Sequence, residues 1–323
     1  MKFLILRFSS IGDIVLTSPV IRCLRKHFPE AEIHFLTRNK FAPVIENNPY
    51  INKNLFFDDS IDEIILSLKK EKYDYVIDLH HNLRSLKIKR ALKAKSFSFN
   101  KLNIEKWLIV NLKINRLPKK HIVDRYLETI SSFGIINDDE GLDYFISPDD
   151  EKIIQNLPTE FHGDYIAWAI GAQHATKQLP LNKMISIAGK LKLPIVILGG
   201  KEDLNKSLDL ISHFNVPVFN GCGFFKINES AAVIKQAHHV ITHDTGMMHI
   251  AAAFRKKIIS IWGNTIPEFG MSPYLPSTLH SNSIIVEVKN LSCRPCSKIG
   301  FQKCPKGHFK CMNEIDVTKV VAE

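Results

Sequence analysis

Short apolar runs alternate with stretches of helical periodicity along this chain, and the alternation starts twice. The first series has apolar runs at 3–8 (FLILRF), 32–37 (EIHFLT), 53–57, 74–79 (DYVIDL) and 96–99, separated by helical patterns at 14–27, 61–71 and 82–94. After an irregular helical region at 103–135, interrupted by Pro118, the series begins again with 165–170 (YIAWAI), 194–198 (PIVIL), 216–219, 239–242 and 257–262 (KIISIW). Helical patterns at 181–191, 204–213, 228–237 and 246–254 separate these. Strands alternating with helices require crossover connections and hence parallel sheets covered on both faces. A chain of 323 residues is long enough for two such units. Pro158, His162 and Gly163 place the linker around 148–163. The expected architecture is α/β, with two doubly wound domains over residues 1–155 and 156–323 that face an interdomain cleft.

Composition narrows the setting. With 45% hydrophobic and 24% charged residues the chain is neither disordered nor fibrous. No apolar run approaches the roughly 20 residues that span a bilayer, and the first one is interrupted by Arg7, so the expectation is a cytoplasmic protein without a secretory signal. The net charge of +10 is concentrated. Between Arg84 and Arg125 stand 13 Lys and Arg against Glu105 and Asp124, which leaves the rest close to neutral. Such a local excess marks a surface for an anionic partner: nucleic acid, anionic lipid or a phosphorylated glycan. Aromatic residues do not interleave at a stacking period, which argues against nucleic acid. Residues 86–93, alternating Lys/Arg with Leu/Ile, read either as an amphipathic helix or as an ordinary solvated face.

Ligands of open α/β sheets bind beyond the carboxyl ends of the strands, so the loops after the strands hold the candidate residues. Ser9-Ser10-Ile11-Gly12-Asp13 puts a carboxylate at a helix start, either as a simple cap or as a general base. It has a single glycine and is not a dinucleotide fingerprint. Asp78, His80, Asn82, Arg84 and Ser85 follow another strand, on the side where a second substrate would sit, unless they are ordinary loop polars. In the second half, Gly171 to Lys177 offers the Thr176 hydroxyl and the Lys177 charge to phosphate oxygens without Walker spacing. Gly199 and Gly200, followed by Asp203, suit a nucleotide edge or a plain turn. Asp244-Thr245-Gly246-Met247-Met248-His249 opens a helix whose free N–H groups form an anion site, with a diphosphate as its natural occupant. His249 taken alone reads more readily as a packed first-turn residue. Gly263 to Glu268 can close the same pocket.

Four of the six cysteines, Cys293, Cys296, Cys304 and Cys311, crowd around His308 near the C-terminus. Their density is compatible with a structural zinc, but reads more readily as reduced or packed thiols, because the spacing matches no standard finger or ribbon. No catalytic metal and no cofactor are expected.

Taken in order, these motifs resemble glycosyltransferase family 9, the ADP-heptose:lipopolysaccharide heptosyltransferases. The resemblance is carried by the early Ser-Ile-Gly-Asp13, Asp78-Leu-His-His-Asn-Leu-Arg84-Ser85, Gly171-Ala172 through Lys177 to Pro180, Leu198-Gly199-Gly200, the Asp244-to-Ala253 block and Gly263-Asn264-Thr265-Ile266-Pro267. It spans nearly the whole chain, and the cysteine-rich end looks like the tail of the heptosyltransferase II type. The resemblance implies a GT-B fold of two Rossmann-like domains, an N-terminal one for the acceptor and a C-terminal one for the nucleotide-sugar donor, the last helix often returning to the first. It implies inverting, metal-independent transfer from ADP-heptose to a phosphorylated glycolipid, at or near the inner membrane and not on nucleic acid. The matching residues are Asp13 as base; Thr176, Lys177, Gly199, Gly200, Asp244, Thr245, Gly246, Met247 and His249 toward the donor; and Ser10, Gly12, Asn82, Arg84 and Ser85 toward the acceptor. Leu179 and Asn264 depart from the family pattern, replacing an aromatic residue and a proline. A nucleotide-sugar 2-epimerase on the same scaffold and a non-enzymatic anion-binding module are the rival readings.

Overall fold

The first five strands are β1 (Lys2–Leu6), β2 (Glu32–Arg38), β3 (Lys53–Phe57), β4 (Tyr75–Asp78) and β5 (Lys95–Ser98). In the computed structural model, which describes residues 1–321, they form one parallel sheet in the order β3-β2-β1-β4-β5. β1 is apolar on both faces because it is central. Leu4 and Leu6 enter a core with Leu36, Phe57, Leu68 and Val76, whereas Phe3 stacks on Phe28 and Tyr75 and meets Phe133 edge-on. Burial on both sides is what turns a parallel strand into a continuous apolar run rather than an alternating one. The first helical pattern is split in two, Ile11–Val15 and Ser18–His27, and the break falls where Pro19 occupies the first turn of the second helix.

The second sheet contains β6 (Ile166–Ala169), β7 (Ile195–Leu198), β8 (Val218–Asn220), β9 (His239–His243), β10 (Lys257–Trp262) and β11 (Ser283–Glu287). It is parallel throughout, ordered β11-β10-β9-β6-β7-β8. Its core is aliphatic, with Ile166, Ile195, Ile197, Ile241, Ile259 and Ile261 around the buried Trp168. β11 is absent from the sequence-based expectation. It is an edge strand, only partly covered, and lacks the full apolar signature that exposed the others.

Two compact units result, each built on one sheet: residues 1–101 with 120–145, and 102–119 with the chain from 146 onward. A single cut at 155/156 does not describe them. Residues 102–119 join the second unit because Ile109 is buried against Ile266 and Phe269, with Val110 and Leu117 alongside. The Lys113 ammonium also donates to the carbonyls of Cys293 (3.2 Å) and Pro295 (2.7 Å). The basic stretch 84–125 is therefore divided, with Lys106, Lys113, Arg116 and Lys119 in the second unit. The last described helix, Thr318–Val321, packs within the second unit, where Val320 is buried in the core. Among the described residues no helix is long and apolar enough to cross a membrane.

Candidate active site

Strand order decides where a parallel sheet opens a crevice: at the point where successive connections run in opposite directions from the same pair of strands. In the first unit that point lies between β1 and β4, and in the second between β6 and β9. The loops that leave these four strands carry most of the candidate residues.

After β1 the chain turns into the short helix Ile11–Val15, with Ser10 as N-cap. Asp13 is the third helical residue. One of its carboxylate oxygens, Oδ2, accepts from the Ser10 amide (3.1 Å) and hydroxyl (2.8 Å). The other, Oδ1, lies 2.7 Å from Arg7 Nη2. Asp13 thus closes the cap from the third helical position, with Ser10 rather than Asp13 itself as N-cap, and these contacts fix its side chain. Gly12 is buried in the same turn.

Arg7 is the residue that sequence reasoning missed. It is buried, and beyond Asp13 it donates to the carbonyls of Ser9 (2.7 Å) and Leu79 (2.6 Å) and to the Tyr126 hydroxyl (2.8 Å). One guanidinium therefore ties the loops after β1 and β4 together and holds the Asp13 carboxylate between them. Its signal in the sequence was the lone charge inside an otherwise apolar run. His80 packs against the Phe8 ring at 4.6 Å. Burial, then the positive charges of Arg7 and Lys101, push its pKa down to about 3, so it is a neutral ring at physiological pH.

The loop after β4 corrects part of the acceptor expectation. Ser85 is fully buried, and its hydroxyl donates to Asp78 Oδ2 at 2.8 Å. Asn82 is the N-cap of the helix Leu83–Leu92, accepting from the Ser85 amide at 2.9 Å, while its own amide donates to Ser85 Oγ. The Ser85 hydroxyl and the Asn82 Oδ1 are spent on the local turn and position it. Asp78 is buried as well, taking the amides of His80 and His81 and the Lys89 ammonium at 2.8 Å. Lys87 pairs with Asp62. Arg84, in contrast, is exposed and has no ion pair among the described residues.

In the second unit the loops after β6 and β9 meet through Lys177 and Asp244. Lys177 Nζ is 2.6 Å from Asp244 Oδ2, with the two side chains 17% and 10% exposed. The same carboxylate oxygen accepts from Thr265 Oγ1 at 2.8 Å, which brings in the loop after β10. Asp244 leads into the helix Gly246–Ala253, whose N-cap, Thr245, makes no side-chain cap. Thr245, Gly246 and Met247 are half-buried, so the first turn keeps its backbone donors near the surface beside a lysine.

Other donor-side candidates turn out to serve the scaffold. The Thr176 hydroxyl is buried and exchanges hydrogen bonds with the backbone of Phe301, accepting at 2.8 Å and donating at 3.0 Å. Gly199 is required by packing: a Cβ there would stand 2.8 Å from Cys222 Sγ and 2.9 Å from Asp203 Cβ. Gly171 likewise makes room for the Asp203 carboxylate, which accepts from the Gly200 amide at 3.0 Å. Burial raises the pKa of that carboxyl. Lys206, also absent from the sequence-based candidates, approaches Asp203 at 3.9 Å and donates to Gln178, the neighbour of Lys177. His249 is buried in its helix. Asn264 is buried, and neither of its amide atoms has a hydrogen-bond partner.

The only side-chain group with metal-site spacing among the described residues is Glu32, His34 and Glu71, at the start of β2 and just ahead of β4. Lys2 and Lys53 already neutralise its carboxylates. The tail cysteines are free thiols, with Cys293 Sγ 3.8 Å from His308 Nε2.

A family model described as glycosyltransferase family 9 (heptosyltransferase) matches residues 62–303. Lipopolysaccharide heptosyltransferase 1 of Campylobacter coli is 26% identical over 293 residues, covering 82% of this chain and 84% of that protein. Among solved structures, a glycosyl transferase family 9 protein of Veillonella parvula superposes with a TM-score of 0.79 at 22% identity, over 99% of this chain and 95% of the other. The Escherichia coli ADP-heptose lps heptosyltransferase II gives a TM-score of 0.71 at 18% identity, over 97% and 98%. The likeness to both structures is one of fold: two Rossmann-like parallel-sheet units, the GT-B architecture.

Proposed function

The chain belongs to glycosyltransferase family 9, and we propose that it transfers a heptose from an ADP-activated donor to a lipopolysaccharide-core acceptor, with inversion and with Asp13 as the base. The observation that carries this reading is the family match, which covers well over half of the chain. The heptosyltransferase named among its relatives supplies the sugar and the acceptor class, and the Escherichia coli enzyme of the same fold supplies ADP-heptose.

Inversion requires one in-line displacement. The acceptor oxygen bonds to the anomeric carbon as the bond from that carbon to the diphosphate oxygen breaks, and the acceptor proton must leave with the attack. Asp13, held by Ser10 and Arg7, takes that proton. The leaving diphosphate gathers negative charge, which Lys177 and the uncapped first turn of Gly246–Ala253 neutralise. Lys177 is already aligned by Asp244, so little reorganisation accompanies charge development. Arg84, exposed and without an ion pair among the described residues, is suited to an anionic acceptor. The protein works on the cytoplasmic side of the inner membrane, in peripheral contact with it.

The test is release of ADP from ADP-heptose in the presence of purified heptose-deficient core acceptor. Acceptor-dependent ADP release, lost in Asp13→Ala with ADP affinity retained, is the expected result. Turnover near wild type in that variant would remove the base assignment. Release of an epimerised sugar without acceptor would favour the 2-epimerase, and the absence of any nucleotide-sugar binding would favour the binding module. Neither rival is favoured by the relatives, which are named heptosyltransferases.

A further inference from the structure

The helix Asn103–Asn111 has two apolar sides, and only one of them is covered. Ile109 faces the second-unit core against Ile266 and Phe269. Ile104 and Trp107, one turn apart, project from roughly the opposite side of the helix and are 72% and 56% exposed. Leu112 and Ile114, just beyond its end, are exposed as well. The segment is nevertheless firmly held, since Lys113 donates to the carbonyls of Val110, Cys293 and Pro295. The loop it is fastened to leads to two further exposed apolar side chains, Ile299 and Phe301, with Lys298 and Lys303 exposed beside them.

Cations predominate in this segment. Between 102 and 119 Glu105 is the only acid, against Lys106, Lys113, Arg116 and Lys119. Arg116 and Lys119 are exposed and, among the described residues, form no ion pair. Several exposed large apolar groups within a cation-rich segment match the composition of one that lies in the plane of a membrane surface. Tryptophan favours the headgroup level, and basic side chains are drawn to an anionic leaflet. A second copy of the chain is a poor partner, because pairing the patch with itself would bring like charges together.

We propose that residues 102–119 dock this protein onto an anionic phospholipid bilayer, with Ile104 and Trp107 entering the interface and Arg116 and Lys119 on the headgroups. The inference rests on the membrane-contact part of the proposed function and assigns it to a surface.

Trp107 supplies its own reporter, because the other two tryptophans, Trp168 and Trp262, are 0% and 1% exposed. Purified full-length protein is mixed with vesicles of phosphatidylethanolamine and phosphatidylglycerol, or of phosphatidylcholine alone. The expected result is co-sedimentation and a blue shift of tryptophan emission with the anionic vesicles only, both weakening as salt rises. Trp107→Phe should keep the co-sedimentation and lose most of the shift. Ile104→Ser/Trp107→Ser should lower the partition coefficient about tenfold, with unchanged melting temperature and unchanged transfer to a delipidated, water-soluble core acceptor. Arg116→Gln/Lys119→Gln gives an independent variant that leaves the apolar groups in place and should weaken binding at low salt.

Absence of co-sedimentation, equal binding to neutral vesicles, or full binding by both double variants would overturn the proposal. So would self-association in sedimentation velocity that buries Trp107 without lipid. Turnover without vesicle binding would overturn the docking alone, and vesicle binding without turnover would overturn the transferase reading alone.

Discussion

Replacing Lys177 by alanine separates two effects that the geometry joins. In the wild type its ammonium lies 2.6 Å from Asp244 Oδ2, and both side chains are largely buried. Truncation removes a charge-assisted hydrogen bond to the diphosphate, with a contribution of about 1.5–3 kcal/mol. It also leaves the Asp244 carboxylate, still held by Thr265, uncompensated beside an anion. At a separation of roughly 5 Å and an effective dielectric near 20, that repulsion is on the order of 3 kcal/mol per charge before screening by solvent and salt. Discounting the repulsion for the access of water leaves a total of about 3 kcal/mol, a roughly hundredfold rise in the Kd for ADP. The second effect is separable: Lys177→Ala/Asp244→Asn should recover about tenfold of the lost affinity, although it removes a further polar group. Isothermal titration calorimetry with ADP measures both, and thermal melting of each variant checks that the fold persists. A loss of less than about threefold in Lys177→Ala, or a double variant that binds no better than the single one, would refute the reasoning.

Asp13→Asn keeps the size and the Ser10 contact but removes the base; transfer should fall by at least about a hundredfold while the Kd for ADP, by calorimetry, stays within about twofold. Arg22 is buried among Asp138, Asp143 and the Gly141 carbonyl, so Arg22→Met should cost about 3 kcal/mol in urea unfolding by removing the buried guanidinium that both carboxylates share, Lys26 remaining on Asp138. Burial alone would raise the Asp138 carboxyl, but hydrogen bonds from Arg22 and Lys26 bring it well below its usual range. Because the folded value is depressed, this stabilisation is complete above about pH 4 and is lost as the pH falls further; the gap between wild type and Arg22→Met should narrow at pH 2–3, and a constant gap would contradict the assignment. Thr176→Val should cost about 1–2 kcal/mol and increase hydrogen exchange around Phe301 while ADP affinity is nearly unchanged, which separates its packing role from donor contact. Gly171→Ala should destabilise the second unit measurably in thermal melts, because the new Cβ would fall 2.1 Å from Asp203 Oδ2.

Much of the architecture was legible because it depends on local pattern. Strand-like apolar runs and helical spacing are properties of short windows, and every observed strand except β11 coincides with such a run. β11 escaped because an edge strand is partly exposed and carries a weaker signature. The loops that could bear chemistry were also legible, since a parallel sheet presents its useful loops after its strands. Asp13, Lys177 and the Asp244–Gly246 turn were singled out as candidates on that basis.

Tertiary structure decided which of those residues are available. Ser85, Asn82 and Thr176 have the right chemistry in the right loops, yet the Ser85 hydroxyl, the Asn82 Oδ1 and the Thr176 hydroxyl are consumed by Asp78, by the Ser85 amide and by Phe301. Nothing within a short window distinguishes a hydroxyl that faces a ligand from one that closes a turn. The pairing of Arg7 with Asp13 and Tyr126, and of Lys177 with Asp244 and Thr265, depends on strand order, which brings distant loops together at the reversal points of the two sheets. The same holds for residues 102–119: their charge and apolar content could be read in one dimension, but only the burial of Ile109 on Ile266 and Phe269 assigns them to the second unit and leaves Ile104 and Trp107 facing out. The sequence by itself determined the elements, their order and the chemistry offered at strand ends, because those follow from periodicity and residue type. Which groups remain unpartnered was settled by long-range contacts, because a hydrogen bond or an ion pair made across the fold removes a side chain from the chemistry its neighbours in the chain suggest.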